Sequence, residues 1–373
     1  MNRHIFIILL ALLSFLSPAA SSSPIKDDET VLFFPTNASL DAAGKAWIIP
    51  VHGWIFEMEE DSLWRSAVIE TLPGLLGIEP DESNQALYEQ RGRLFLVDNE
   101  RGKEIETQIR DKHYPLGSSE PNGHFYGTVR IEAARAAAVT DAGWLTFQAV
   151  MPEGDKRVFE GKSQMIAPTG VSIISDIDDT IKISNVKDKQ ALLTNTFLRP
   201  FRAVPGMAET YRKWAGQGAV FHYLSASPWQ LYPALSEFVV ESGFPAGSFH
   251  LKNIRLKDET FLNLFSSQEE YKKPLVEQLL KTYPGRRFFL IGDAGEEDPE
   301  IFAAVAKAYP DQVLRVLIRD EAPNAAESER YQKLFQGMPK SRWSIFRDGG
   351  ELSTIDAVAQ GDDKPSQEGD VGR

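Results

Sequence analysis

Two kinds of apolar patterning divide the chain near residue 169. From Val31 to about Ala167, short β-rich runs recur between turn signals, at Trp47–Phe56, Arg93–Val97, Phe125–Ile131 and Trp144–Val150. Breaks such as Asp98-Asn99-Glu100-Arg101-Gly102 and Met151-Pro152-Glu153-Gly154-Asp155 suit hairpins, so this part predicts a small antiparallel β-sandwich or barrel. A helical insertion is expected around Glu60–Leu72, and the Ala-rich stretch Glu132–Ala138 suits a short helix better than a strand. Pro168-Thr169-Gly170 marks the domain boundary. Beyond it, apolar runs at Val171–Ser175, Val220–Leu224, Ser248–Leu251, Phe288–Ile291 and Val313–Ile318 alternate with helix-length segments at Met207–Gln217, Trp229–Glu241, Lys273–Thr282 and Pro299–Ala308. That alternation predicts βαβ units, a Rossmann-like α/β domain with a parallel sheet. Pro205-Gly206 and Tyr283-Pro284-Gly285 punctuate the units.

Composition narrows the picture at the ends and on the surface. A chain of 373 residues holds two ordinary domains. The net charge of −13 and a pI near 5.1 argue against a nucleic-acid partner, which would call for a basic stripe. The compact basic stretch, His250 to Lys257 with Lys252, Arg255 and Lys257, is either a solvated face or a local attraction for an anionic headgroup. Arg3 and His4 precede an apolar run from Ile5 to Leu16 and then Ser17-Pro18-Ala19-Ala20-Ser21. That run is shorter than the ~20 residues a spanning helix needs, so residues 1–22 read as a signal peptide and the protein as exported, periplasmic or secreted, with an uncleaved anchor as the alternative. The absence of cysteine rules out disulfides and neither favours nor opposes export. The expected division is then a signal peptide over 1–22, a β-rich domain over 23–168, an α/β domain over 169–347 and a disordered tail over 348–373, where Gly, Asp and Ser prevail.

The candidate chemistry lies at strand ends. Asp176-Ile177-Asp178-Asp179-Thr180 closes the first apolar run of the α/β half, so two carboxylates and a hydroxyl sit where a buried strand emerges into a loop. An isolated pair of this kind is more often an acidic turn. Here a second run, Phe288–Ile291, ends in Gly292-Asp293-Ala294-Gly295-Glu296-Glu297-Asp298. A third ends at Ser225, and Tyr271-Lys272-Lys273 opens a helix-like stretch between them.

Those four elements, in that order, resemble the haloacid dehalogenase superfamily of aspartyl-phosphate phosphatases. More narrowly, Ser175–Lys182, Tyr223–Pro233 and Ile291–Ile301 are similar to the catalytic domain of the phosphatidate phosphatases named for actin patches, and the resemblance spans about residues 31–345. It implies a haloacid dehalogenase-type fold and a role for each residue. Asp176 would be the nucleophile and Asp178 the general acid. Lys272, preferred over Lys273, would complete the cage around the phosphoryl group. Thr180, Ser225 and Lys273 would serve the substrate, with Ser227 as a rival to Ser225, while Asp179 suits a loop-stabilising role. Asp176, Asp178 through its backbone carbonyl, Asp293 and Asp298 would hold Mg²⁺, since hard oxygen donors suit that ion and no His or Cys cluster suits zinc. His52 and His222 are expected to be packing residues. The implied substrate is a phosphorylated one, a lipid phosphate at a membrane surface such as phosphatidate. A small soluble phosphate ester and a non-catalytic exported binding protein are the alternatives. Trp229 and Tyr232 could rest at a lipid interface, with core packing the expected role for at least one of them.

Overall fold

The computed structural model describes residues 22–58, 70–71, 73–74, 77–253, 269–322 and 324–357. The export segment, most of the expected helix over Glu60–Leu72, Arg255 and Lys257 of the basic stretch, and the tail beyond Ala357 lie outside the described residues.

The first unit comprises β1 (Glu29–Phe34), β2 (Thr36–Leu40), β3 (Ala46–Glu57), α1 (Gln85–Arg93), β4 (Asp98–Asn99), β5 (Glu104–Ile109), β6 (Lys112–Ser118), β7 (His124–Glu132), α2 (Ala133–Ala137), β8 (Thr140–Asp141), β9 (Trp144–Ala149) and β10 (Glu160–Met165). Its ladder runs β1-β3-β2-β10-β9-β5-β6, with β4 and β7 also on β3 and β8 on β9. The pairings are antiparallel except that of β10 with β2. Because β2 pairs β3 through Ser39–Leu40 and β10 through Thr36–Ala38, the ladder turns there and folds two faces together. Val31, Phe33, Ile49, Phe125 and Val129 from one face meet Ile105, Ile109, Leu145 and Phe147 from the other in one buried cluster, as a sandwich requires. The strand expected over Arg93–Val97 is absent. Arg93 ends α1, and Phe95 and Leu96 continue as a turn, because Phe95 packs on Phe197 of the second unit at 5.7 Å.

The second unit carries β11 (Gly170–Asp176), α3 (Lys189–Phe197), α4 (Met207–Gly216), β12 (Val220–Pro228), α5 (Tyr232–Glu241), β13 (Gly247–Lys252), α6 (Glu269–Thr282), β14 (Arg286–Asp293), α7 (Asp298–Ala308), β15 (Val313–Arg319), α8 (Glu329–Leu334) and β16 (Trp343–Phe346). The strand order β13-β12-β11-β14-β15-β16 is parallel throughout, which confirms the α/β class read from the sequence. β11 is central and buried on both faces, with only Gly170 exposed, as its unbroken apolar run demands. Edge strand β16 escaped the sequence reading because four residues give too little pattern.

The tail expected from Asp348 onward is corrected for its first ten residues. Gly349 lies so close to Gly206 that a Cβ on it would come within 2.1 Å of the Gly206 carbonyl carbon, and Gly206 itself has φ +73°. Two glycines in contact let the segment dock on the start of α4, where Thr210 Oγ1 donates to Gly349 O at 2.8 Å and Trp214 Nε1 to Ile355 O at 2.8 Å. Apolar Leu352, Ile355 and Ala357 are buried there, a pattern hidden among Gly and Asp.

The two units share a core. Phe34, Trp54, Tyr88 and Phe95 of the first belong to the same buried cluster as Phe197, Trp229 and Tyr232 of the second. Trp229 packs on Phe34 at 4.2 Å and edge-on against His52 at 4.7 Å, so both Trp229 and Tyr232 are buried packing residues and neither is left for a lipid interface. Arg286 fastens the linker, donating to Ala167 O at 2.9 Å and Ser172 Oγ at 2.8 Å.

Histidines concentrate at this boundary. His52 Nε2 and His124 Nδ1 are 3.0 Å apart among Phe34, Trp54, Tyr126 and Trp229. His222 Nδ1 lies 2.7 Å from Asn37 Nδ2. Burial pushes His52 well below the ordinary imidazole value and His124 down to about 4. Depressed folded values mean that the unfolded chain binds these protons first, so stability is full above pH ~6.5 and falls as the pH drops from there toward 4. The expected cost is ~2 kcal/mol for His124 alone at pH 5, by 1.36 kcal/mol per pH unit. Thermal unfolding of the parent and of His124→Phe at pH 7 and pH 5 checks this: the parent should lose more stability over that interval than the variant, and an equal change in both would refute it.

Candidate active site

The carboxyl ends of β11, β12 and β14 and the first turns of α6 and α7 converge on buried charge. Asp176 ends β11 and is fully buried. Lys272 Nζ lies 2.7 Å from Asp176 Oδ1, 2.7 Å from Glu296 Oε2 and 2.8 Å from Asp298 Oδ1. Thr180 Oγ1 donates to Asp176 Oδ2 at 3.0 Å. Asp298 opens α7, and its Oδ2 accepts from the Asp293 amide at 3.3 Å. Gly292 is required here, since a Cβ on it would stand 2.3 Å from Asp298 Oδ2.

A second cluster surrounds Asp178. Lys182 Nζ is 2.7 Å from its Oδ1, and the Ser184 hydroxyl donates to the same oxygen at 2.7 Å. Ser225 and Ser227 donate to Oδ2 at 2.8 and 3.1 Å. Asp179, at φ +53°, accepts the backbone N–H groups of Ser184, Asn185 and Val186 at 2.7, 2.8 and 2.6 Å and so folds the loop that brings Ser184 inward. Arg319 Nη1 holds the Asp179 carbonyl at 2.7 Å.

The two clusters differ electrostatically. Burial would raise Asp178, but Lys182 and the serine hydroxyls hold it down to about 2, so it is a carboxylate in this arrangement. Burial pushes Asp176, Asp293, Glu296 and Asp298 upward while Lys272 opposes it, and repulsion from neighbouring carboxylates adds to the rise, from within the cluster for the first three and from Glu300 for Asp298. Burial alone would depress Lys272, yet the surrounding carboxylates keep its ammonium charged and raise it.

Of the residues singled out in the sequence, the fold brings Asp176, Lys272, Asp293 and Asp298 together. Lys273 is not among the cluster's ion pairs. One helical step of ~100° turns it off the face that carries Lys272. Thr180 and Ser225 are engaged with Asp176 and Asp178, so neither presents an open hydroxyl to a substrate here. The Asp178 side chain is likewise committed to its own cluster, leaving the backbone carbonyl as its route to a metal. Glu296, Lys182 and Ser184 were missed. Glu296 sits between half-buried Gly295 and exposed Glu297, and only its place two residues before α7 distinguishes it.

The residues fit a divalent cation. Carboxylate oxygens of Asp176, Asp293, Glu296 and Asp298 lie within 4.8 Å of one another, and buried Asp293 Oδ1 has no hydrogen-bond partner. An all-oxygen donor set with excess negative charge suits a hard ion. Beside Asp293 opens a cavity of about 480 Å³, lined among others by Lys187, Asp188, Arg319 and Glu321.

Fold and site together define a parallel α/β domain with a buried, lysine-bridged carboxylate cluster at the carboxyl end of its central strand. Residues 171–320, which contain every member of both clusters, match the family described as Phosphatidate phosphatase APP1, catalytic domain. The chain is 32% identical over 158 residues to Phosphatidate phosphatase APP1 of Saccharomyces cerevisiae, covering 41% of this chain and 26% of the yeast protein. It is also 32% identical over 155 residues to an uncharacterized protein of Schizosaccharomyces pombe, covering 40% and 25%. The chain therefore spans about a quarter of the length of these curated relatives. Among solved structures, a putative β-phosphoglucomutase of Thermotoga maritima aligns with a TM-score of 0.30 and 10% identity, over 49% of this chain and 96% of that one. A HAD family hydrolase of Deinococcus radiodurans R1 with bound phosphate and sodium gives 0.29 and 14%, over 50% and 94%.

Proposed function

We propose that the chain is a Mg²⁺-dependent phosphomonoester hydrolase that forms an aspartyl-phosphate on Asp176, with phosphatidate as substrate and diacylglycerol and phosphate as products. The observation that carries this is the lysine-bridged, buried carboxylate cluster at the central strand end, inside the segment that resembles a phosphatidate phosphatase. Asp176 attacks phosphorus, the bond from phosphorus to the ester oxygen breaks, and the leaving alkoxide takes a proton. Water then attacks phosphorus, the bond to Asp176 breaks and phosphate departs. Asp178 begins as a carboxylate, ready to accept the proton of that water; to donate in the first step it has to part from Lys182 and gain a proton. Lys272 orients Asp176 and offsets the charge of the transferring group. Mg²⁺, held by Asp176, Asp293 and Asp298 with Glu296 beside them, would supply the positive charge that lets a phosphate dianion approach these carboxylates.

A second reading keeps the chemistry and takes a small soluble phosphate ester, favoured by the cavity with Lys187 and Arg319 beside Asp293. A screen of phosphate release decides between them, using the chain lacking residues 1–22 with dispersed phosphatidate, an aryl phosphate and sugar phosphates. The expected result is turnover that EDTA abolishes and Mg²⁺ restores, with the highest kcat/KM for phosphatidate. Preference for sugar phosphates would favour the second reading, and no release from any ester would overturn both. We further propose export with removal of about the first 20 residues, on the short apolar run alone. Sequencing the N-terminus of the exported protein checks it, and an intact Met1 in a membrane pellet would contradict it.

A further inference from the structure

A second cavity, of about 370 Å³, lies between the two units. That volume is within the range of small-molecule sites. Its walls are mostly carbon: Trp229, Leu251, Leu275 and Leu279 from the parallel-sheet unit face Pro50 and Tyr126 from the β unit. At the end nearest Lys272, buried Tyr271 Oη has no hydrogen-bond partner, a costly state that an oxygen of the phosphoester would relieve. One end of the cavity lies toward the carboxylate cluster, where the Lys272 charge reaches the Tyr271 hydroxyl. Tyr271 immediately precedes Lys272, and Trp229 follows Ser227, whose hydroxyl holds Asp178. The lining then runs along β13 and down α6 as far as Tyr283, away from the carboxylates.

From this we infer that the inter-unit cavity is the subsite for the apolar part of the substrate alcohol, with the phosphoester at the carboxylate end and an alkyl chain extending along α6 between the units. The inference rests on the phosphomonoesterase reading and narrows it to esters whose alcohol carries a long alkyl or acyl chain. It also gives the β unit a task, since Pro50 and Tyr126 close a wall that the parallel-sheet unit lacks.

Binding of n-alkylphosphonates of increasing length, measured by calorimetry with Mg²⁺ on the chain without residues 1–22, tests it without requiring turnover. Affinity should rise about fourfold per methylene, equivalent to ~0.8 kcal/mol, and level off when the cavity is full. Leu275, half-buried on the wall, sets the length at which that happens: Leu275→Trp should bring the plateau to shorter chains and Leu275→Ala move it to longer ones. The readout is the plateau position, which a uniform loss of affinity does not move, and thermal unfolding verifies that each variant is folded. Affinity independent of length, or one plateau shared by all three proteins, would overturn the subsite. Aryl phosphate turnover run in parallel separates the two claims: turnover with length-independent binding removes the subsite alone, and no turnover of any ester removes the reading beneath it.

Discussion

Asp176→Asn is expected to reduce phosphate release by about four orders of magnitude or more while leaving the thermal midpoint close to that of the parent. The carboxamide is nearly the same size, can still accept the Thr180 hydroxyl, and leaves Lys272 paired with Glu296 and Asp298. It is a far poorer nucleophile toward phosphorus, and it removes one of the charges available to the cation. Stability is expected to hold because burial already pushes Asp176 toward its neutral form. Phosphate release together with a melting curve checks both halves, and near-normal Mg²⁺-dependent turnover would remove Asp176 from the mechanism.

Lys272→Met should be the most destabilising single change at the site. Its ammonium contacts Asp176, Glu296 and Asp298, and Asp293 lies in the same carboxylate cluster. Removing one partner of a buried ion cluster costs about 3–5 kcal/mol, because the remaining charges keep their desolvation penalty without the attraction that offset it. The acids respond by holding protons. With folded carboxylate values raised above the unfolded value of ~4, the folded state binds more protons, so the loss deepens as pH rises from 4 toward 8. Mg²⁺ should restore part of the stability by binding the folded state. Lys273→Met, outside the ion pairs, should change stability by no more than about 0.5 kcal/mol. Melting curves of both variants across pH, with and without Mg²⁺, would refute this if the two lost stability equally.

Much of this was legible wherever the pattern is local. The strands β11, β12, β14 and β15 were read from apolar runs, and the acids Asp176, Asp293 and Asp298 from their place at strand ends. Lys272 could be preferred over Lys273 by resemblance, and the structure supplies the geometric reason. What the sequence hid depends on contacts across the chain. Whether Trp229 or Tyr232 packs in the core was left open, because the partner of Trp229, Phe34, lies in the other unit. Lys182 carries no local signal of burial, yet it is buried against Asp178 because Asp179 curls the loop back. The first ten tail residues looked disordered because the glycines that permit their docking also mark flexible sequence.

The central claim is that Asp176 carries the phosphoryl group between the two half-reactions. The direct measurement is rapid acid quenching of turnover with a ³²P-labelled phosphomonoester, borohydride reduction of the acyl phosphate and mass spectrometry of the peptides. The account predicts transient label on the parent protein, reduction at Asp176, and neither in Asp176→Asn. Label on a different residue, or a burst of free phosphate with no labelled protein at any quench time, would contradict it.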